Sequence, residues 1–111
     1  MVAGEASGDL LASLLIQSLK KRLPDARFFG IGGPKMQALG FQALFPAEKL
    51  AVRGYAEVLK HYREIAGIRR KLLSAMLSDP PQAFIGVDAP DFNLHLEKCL
   101  KARGIPAIHY V

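Results

Sequence analysis

The chain opens with a short apolar run, Met1-Val2-Ala3, that stops at a cluster of small residues, Gly4-Glu5-Ala6-Ser7-Gly8. Apolar residues then recur at four-residue spacing: Leu11, Leu15, Leu19 and Leu23, with Leu14 and Ser18 beside them. This spacing predicts a helix starting near Asp9, with the leucine stripe facing the core and Pro24 ending it. The Asp9 carboxylate suits the positive end of that helix. Residues 27–31 predict a second strand, Gly32-Gly33-Pro34 a turn, and 34–40 a short helix opened by Pro34 and closed by Gly40. A brief strand over 41–45 follows, closed by Pro46. A long helix over 55–77 comes next, ended by Asp79-Pro80-Pro81. Residues 83–87 are nearly all apolar, as a strand covered on both faces must be. The loop Asp88-Ala89-Pro90-Asp91-Phe92-Asn93 leads into a helix from about Phe92 to Gly104, and 105–111 reads as a last strand.

Strands separated by helices of this length predict an α/β fold: one Rossmann-like domain with a parallel sheet, flanking helices and right-handed crossovers. In such sheets ligands bind beyond the carboxyl ends of the strands. Three loops of unusual composition fall there: Gly4 to Gly8, Gly30 to Pro34, and Asp88 to Asn93. The first strand is shorter than the usual five or six residues, and the last has no covering helix after it. Both ends therefore read as those of a fragment of a larger domain.

Composition narrows the function classes. The chain has 111 residues, half of them hydrophobic and 23% charged, which fits one packed domain and not a disordered segment. A net charge of +5 favours anionic partners: nucleic acid, phosphorylated small molecules or an anionic lipid surface. The single cysteine, Cys99, excludes an internal disulfide and suits a reducing compartment. No signal peptide and no apolar run long enough to span a bilayer is evident. The histidines His61, His95 and His109 show no paired ligand spacing, so no metal site is expected.

Several residues can carry chemistry. Glycines at 4 and 8 allow a sharp turn and close approach to a ligand, although the spacing is neither a dinucleotide fingerprint nor a P-loop. The alternative is a tight strand-to-helix turn that binds nothing; Glu5 favours function, because turning the chain needs no carboxylate. Gly30 to Pro34 reads first as turn geometry plus a helix-opening proline. Asp88 is the sharpest candidate: it follows a buried strand directly and can take a proton from a sugar hydroxyl as that hydroxyl attacks, the alternative being that it merely closes a turn. Asp91 reads as the cap of the following helix, and Asn93 can orient a polyol by hydrogen bonding. On the long helix, Tyr55, Val58, Leu59, Tyr62, Ile65 and Ala66 form one apolar stripe. Its remainder is basic, with Lys60, His61, Arg63, Arg69, Arg70 and Lys71. That combination is either an interfacial helix on anionic lipid or a core-facing stripe with a solvated basic face, and the second is commoner. Arginine and lysine without interleaved glycines or an aromatic platform argue only weakly for nucleic acid, and none is expected as a partner.

Val2 to Asp9, Gly30-Ile31-Gly32-Gly33-Pro34-Lys35-Met36, Gly86-Val87-Asp88-Ala89-Pro90-Asp91-Phe92-Asn93 and the closing His109-Tyr110-Val111 together resemble the lipid-A-disaccharide synthase family, in order and along the whole chain. The resemblance implies a two-domain GT-B glycosyltransferase, with residues 1–111 forming part of its N-terminal, acceptor-side domain and the UDP-sugar-binding C-terminal domain absent. It implies transfer from UDP-2,3-diacylglucosamine to 2,3-diacylglucosamine 1-phosphate, giving a β-1,6-linked disaccharide and UDP. No cofactor is implied. The implied location is the cytoplasmic face of the Gram-negative inner membrane, with the protein held peripherally. On the family pattern Asp88 is the general base, and Glu5, Ser7, Gly8, Gly32, Gly33 and Asn93 belong to the substrate side. Ala56, Val58, Leu59, Tyr62, Ile65 and Ala66 match the membrane-facing patch, with Tyr62 and Ala66 where leucine is expected. Family members carry further residues before the first glycine and a segment rich in serine, proline and tryptophan after the closing motif. Without the second domain the fragment is expected to show no turnover. The reading from another class is a non-catalytic Rossmann-like module that binds an anionic ligand or a lipid surface.

Overall fold

The computed structural model describes residues 1–50 and 55–110, with every side chain among them except those of Lys49 and residues 55–61. Five parallel strands form one sheet: β1 (Val2–Ala3), β2 (Phe29–Ile31), β3 (Gln42–Phe45), β4 (Phe84–Val87) and β5 (Ala107–Tyr110). Their spatial order is β3-β2-β1-β4-β5. The chain thus builds outward from β1 in one direction, crosses back, and builds outward from β4 in the other. Right-handed crossovers then put the helices of the two halves on opposite faces. The cores show this directly. Ala12 and Ile16 of α1 (Ala6–Arg22) and Met36 of α2 (Pro34–Gln37) pack on one face with Ala3 and Val87. Ile68, Leu72 and Met76 of α3 (Tyr55–Ser78), with Phe92, Leu96 and Leu100 of α4 (Pro90–Ala102), pack on the other with Val2 and Phe84. Val2 and Ala3 point to opposite cores, the two-residue period of a strand covered on both sides.

The strand and helix order agrees with the sequence reading; three local expectations need correction, and one turn was not expected. Helix α1 starts at Ala6, three residues before Asp9, so most of the small-residue cluster is its first turn. Its buried face is Gly8, Asp9, Ala12, Ser13 and Ile16, and not the leucine stripe; Leu11, Leu15 and Leu19 flank that face, while Leu14 and Leu23 are exposed. Small residues let the helix axis approach the sheet closely, which pushes the longer leucines to the rim. Helix α4 starts at Pro90 on an Ala89 cap, so Asp91 sits inside the first turn and caps nothing. A 3-10 turn at Ala47–Leu50, which no spacing rule indicated, lays Leu50 over Gly4. Residue Val111 of the expected last strand lies outside the described residues.

The Met1 nitrogen is buried and donates to the Phe29 carbonyl oxygen at 2.9 Å, and the Ile31 amide donates to the Met1 carbonyl at 3.1 Å, so the pairing of the first strand with the second extends through Met1.

Candidate functional site

The sheet reverses its build direction between β1 and β4, and ligand crevices in open α/β sheets form outside the strand ends at such a point. Ala3 pairs with Val87 in register, so the two chains leave the sheet side by side. The residues that follow are Gly4-Glu5 on one side and Asp88-Ala89 on the other. A cleft of about 700 Å³ opens there, lined by Gly4, Glu5, Leu50, Tyr62, Ile65, Ala66, Arg69 and the segment from Asp88 to Phe92. A second hollow of about 630 Å³ shares Gly4 and Glu5 and extends over Ser7, Asp9, Gly33, Lys35 and Glu48.

Asp88 stands at the floor of the larger cleft, half-buried. Its backbone has φ 55°, and Ala89 follows with φ 41°, two consecutive left-handed residues without glycine. Such conformations cost about 1 kcal/mol or more each and persist only where surrounding contacts hold them. Those contacts are visible. The Asp88 amide donates to the Tyr110 carbonyl at 3.1 Å, and the amides of Phe92 and Asn93 both donate to the Ala89 carbonyl. The Asn93 side-chain amide donates to the Asp88 carbonyl at 2.9 Å and to the Val2 carbonyl at 3.2 Å. The turn is thus fixed through its backbone, and Asp88 lines the opening.

The expected site residues divide. Glu5 and Asp88 both line the larger cleft, and Ser7 and Gly33 line the adjoining hollow. Gly8 is buried against Ala3 and Val87, and Gly32 against Met36 and Phe41; neither lines either opening. Asn93 is fully buried and has no surface in the cleft, so it orients Asp88 and not a polyol. Gly86 makes room for it: a Cβ there would come within 2.9 Å of the Asn93 Cβ. Of the apolar stripe, Tyr62, Ile65 and Ala66 line the larger cleft, with Tyr62 exposed and Ile65 packed partly on the core. Ala56, Val58 and Leu59 lie outside the described side chains.

Two residues in the site carry roles that local reading missed. Asp9 does act as a cap, but of α2: its carboxylate accepts from the Lys35 and Met36 amides, each at 3.0 Å. Gly33 accommodates it, since a Cβ there would lie 2.6 Å from the Asp9 carboxyl carbon. Arg69, grouped in the sequence with the solvated basic face, is half-buried and lines the Asp88 cleft.

A family model described as lipid-A-disaccharide synthetase matches residues 1–111. Lipid-A-disaccharide synthases from Azoarcus sp. (strain BH72) and Dechloromonas aromatica (strain RCB) are each 68% identical to the chain over 111 residues. The enzyme of that name from Aromatoleum aromaticum is 64% identical over the same length. In each case all of this chain is aligned, against 28%, 29% and 28% of the relative. The chain therefore spans just over a quarter of the length of the curated relatives it matches. With the model matched along every residue and the crevice where such a fold places one, this chain belongs to the lipid-A-disaccharide synthetase family.

Proposed function

We propose that the chain supplies the acceptor side of the active cleft in a GT-B glycosyltransferase of lipid A biosynthesis. The full protein joins UDP-2,3-diacylglucosamine to 2,3-diacylglucosamine 1-phosphate and releases UDP. The carrying observation is an aspartate held by its backbone at the switch point, where it lines a cleft of about 700 Å³. Asp88 removes the proton from the attacking hydroxyl of the acceptor. That oxygen forms the new bond to the anomeric carbon of the donor, and the bond from that carbon to the UDP oxygen breaks. UDP departs with the electron pair, and Asp88 later returns its proton to water. Glu5, which precedes α1, lines the same cleft, and Ser7 in its first turn lines the adjoining hollow, so both are on the substrate side. Both substrates must share one cleft, so residues 1–111 alone are expected to give no disaccharide. The test is disaccharide formation by the full-length protein carrying Asp88→Asn; near-full activity defeats the general-base role.

The stripe on α3 supports a peripheral position on the inner-membrane surface, facing the cytoplasm. No helix among the described residues is long and apolar enough to cross a membrane, and the contact proposed for the stripe is lateral. Val58→Ser, Leu59→Ser and Tyr62→Ser combined in the full-length protein are expected to weaken partitioning onto anionic vesicles by about tenfold or more. Ile65 is left in place because it packs on the core. Vesicle cosedimentation equal to that of the unmodified protein returns the stripe to an ordinary packing role.

A further inference from the structure

The wall that α3 contributes to the Asp88 cleft changes character along its length. Tyr62, Ile65, Ala66 and Arg69 stand at i, i+3, i+4 and i+7, on one face of the helix, and all four line the cleft. The apolar stripe thus ends in a cation beside the catalytic turn. The guanidinium is held in place: its carbon lies 6.0 Å from the Phe92 ring centroid, and Nη1 donates at 3.4 Å to the Asp91 carbonyl oxygen. Neither contact neutralises the charge. The ion pairs formed among the described residues join Arg27 to Asp79 and His109 to Glu97, and neither includes Arg69. The other charged groups lining the cleft, Glu5, Asp88 and Asp91, are all carboxylates.

A half-buried cation that has lost part of its water and gained no counter-ion among the described residues is costly unless a ligand brings one. Guanidinium offers five N–H groups in a planar fork, of which one is used on Asp91, and the fork matches two oxygens of a phosphate. We infer that Arg69 binds the phosphate of an acylated sugar phosphate whose free hydroxyl faces Asp88, with its apolar portion along Tyr62, Ile65 and Ala66. The inference rests on the glycosyl-transfer reading of the same cleft. Arg69 is a binding residue here and takes no part in proton transfer.

The test uses the full-length protein with Arg69→Gln and Arg69→Lys. Steady-state transfer is measured with 2,3-diacylglucosamine 1-phosphate and with the same diacyl sugar lacking phosphate, and the UDP-sugar donor is varied separately. Arg69→Gln is expected to raise KM for the phosphorylated acceptor by about 30-fold, the order expected for a lost charged hydrogen-bond pair. It should leave kcat within about twofold and KM for the unphosphorylated acceptor unchanged; Arg69→Lys should recover part of the loss. An unchanged KM for the phosphorylated acceptor overturns the inference. So does an equal loss with both acceptors, which assigns Arg69 to packing on Phe92, or a loss confined to the donor, which assigns it to the nucleotide diphosphate. If the unmodified protein makes no disaccharide, the transfer reading fails by itself. Calorimetric binding of the phosphorylated acceptor to the unmodified protein and to the Arg69→Gln variant then still decides the inference by the same ratio.

Discussion

Asp88→Asn in the full-length protein is expected to lower kcat by about 10²- to 10⁴-fold with KM for both sugars nearly unchanged. Asparagine has the same shape as aspartate and tolerates a positive φ almost as readily, so the left-handed backbone at φ 55° is kept. The backbone bonds that fix the turn, from the Asp88 amide to Tyr110 and from Asn93 to the Asp88 carbonyl, do not involve the replaced atoms. What disappears is the basic oxygen. Alanine would be a poorer test, because it adds backbone strain at that position and confuses a lost base with a displaced loop. A thermal melt within a degree or two of the unmodified protein establishes that the fold is intact. Activity within about threefold of normal would mean that the acceptor hydroxyl gives up its proton elsewhere. Of the remaining described carboxylates in the cleft, Glu5 is then the first to exchange for glutamine.

Why Asp88 was legible while Asn93 and Arg69 were not follows from what each signal depends on. A strand buried on both faces must be apolar, so a carboxylate immediately after Phe84–Val87 marks the strand's end and an opening there. The α/β alternation was equally readable, since helical and strand spacings differ so much. Helix starts were not. Both α1 and α4 begin on residues whose side chains make no capping bond, Glu5 and Ala89, while aspartates stand a few positions later and look like caps. Asn93 resembles a surface polar residue in sequence, and only the packed fold reveals it fully buried with its amide shared between two carbonyls. Arg69 belongs by charge to the basic face and by position to the apolar stripe. Whether position or charge wins depends on whether that part of the stripe meets core or cavity, which no spacing rule specifies. The leucines of α1 fail for the converse reason: the closest approach to the sheet belongs to Ala12 and Gly8, whose small size gives little hydrophobic signal.

Asp9→Ala is expected to destabilise the fold by about 3 kcal/mol or more. The Asp9 carboxylate satisfies two amides of the first turn of α2, Lys35 through one oxygen and Met36 through the other. Alanine leaves both donors without that acceptor, and the Met36 bond is buried, so water replaces it poorly. The negative charge at the positive end of a helix is lost as well, although in a helix of four residues this adds little. Asp9→Asn keeps one acceptor oxygen but turns an NH₂ group towards the second amide, so it should fall between the two. A double-mutant cycle separates this bridging role from any role in holding substrate. Gly33→Ala alone forces a Cβ to within 2.6 Å of the Asp9 carboxyl carbon and should cost about 1–3 kcal/mol by overpacking. In the Asp9→Ala background the carboxyl group is gone and only the Cβ of residue 9, 3.1 Å away, still crowds the site, so the same change should cost less, a coupling of about 1 kcal/mol or more measured by urea unfolding. Additive losses would mean that Gly33 is required by something other than Asp9. A sugar contacted by the Gly33 backbone in the adjoining hollow would be the next possibility to test, because Gly33 lines it together with Ser7 and Glu5. The cycle therefore reports whether this side of the cleft is shaped by helix packing or by its ligand.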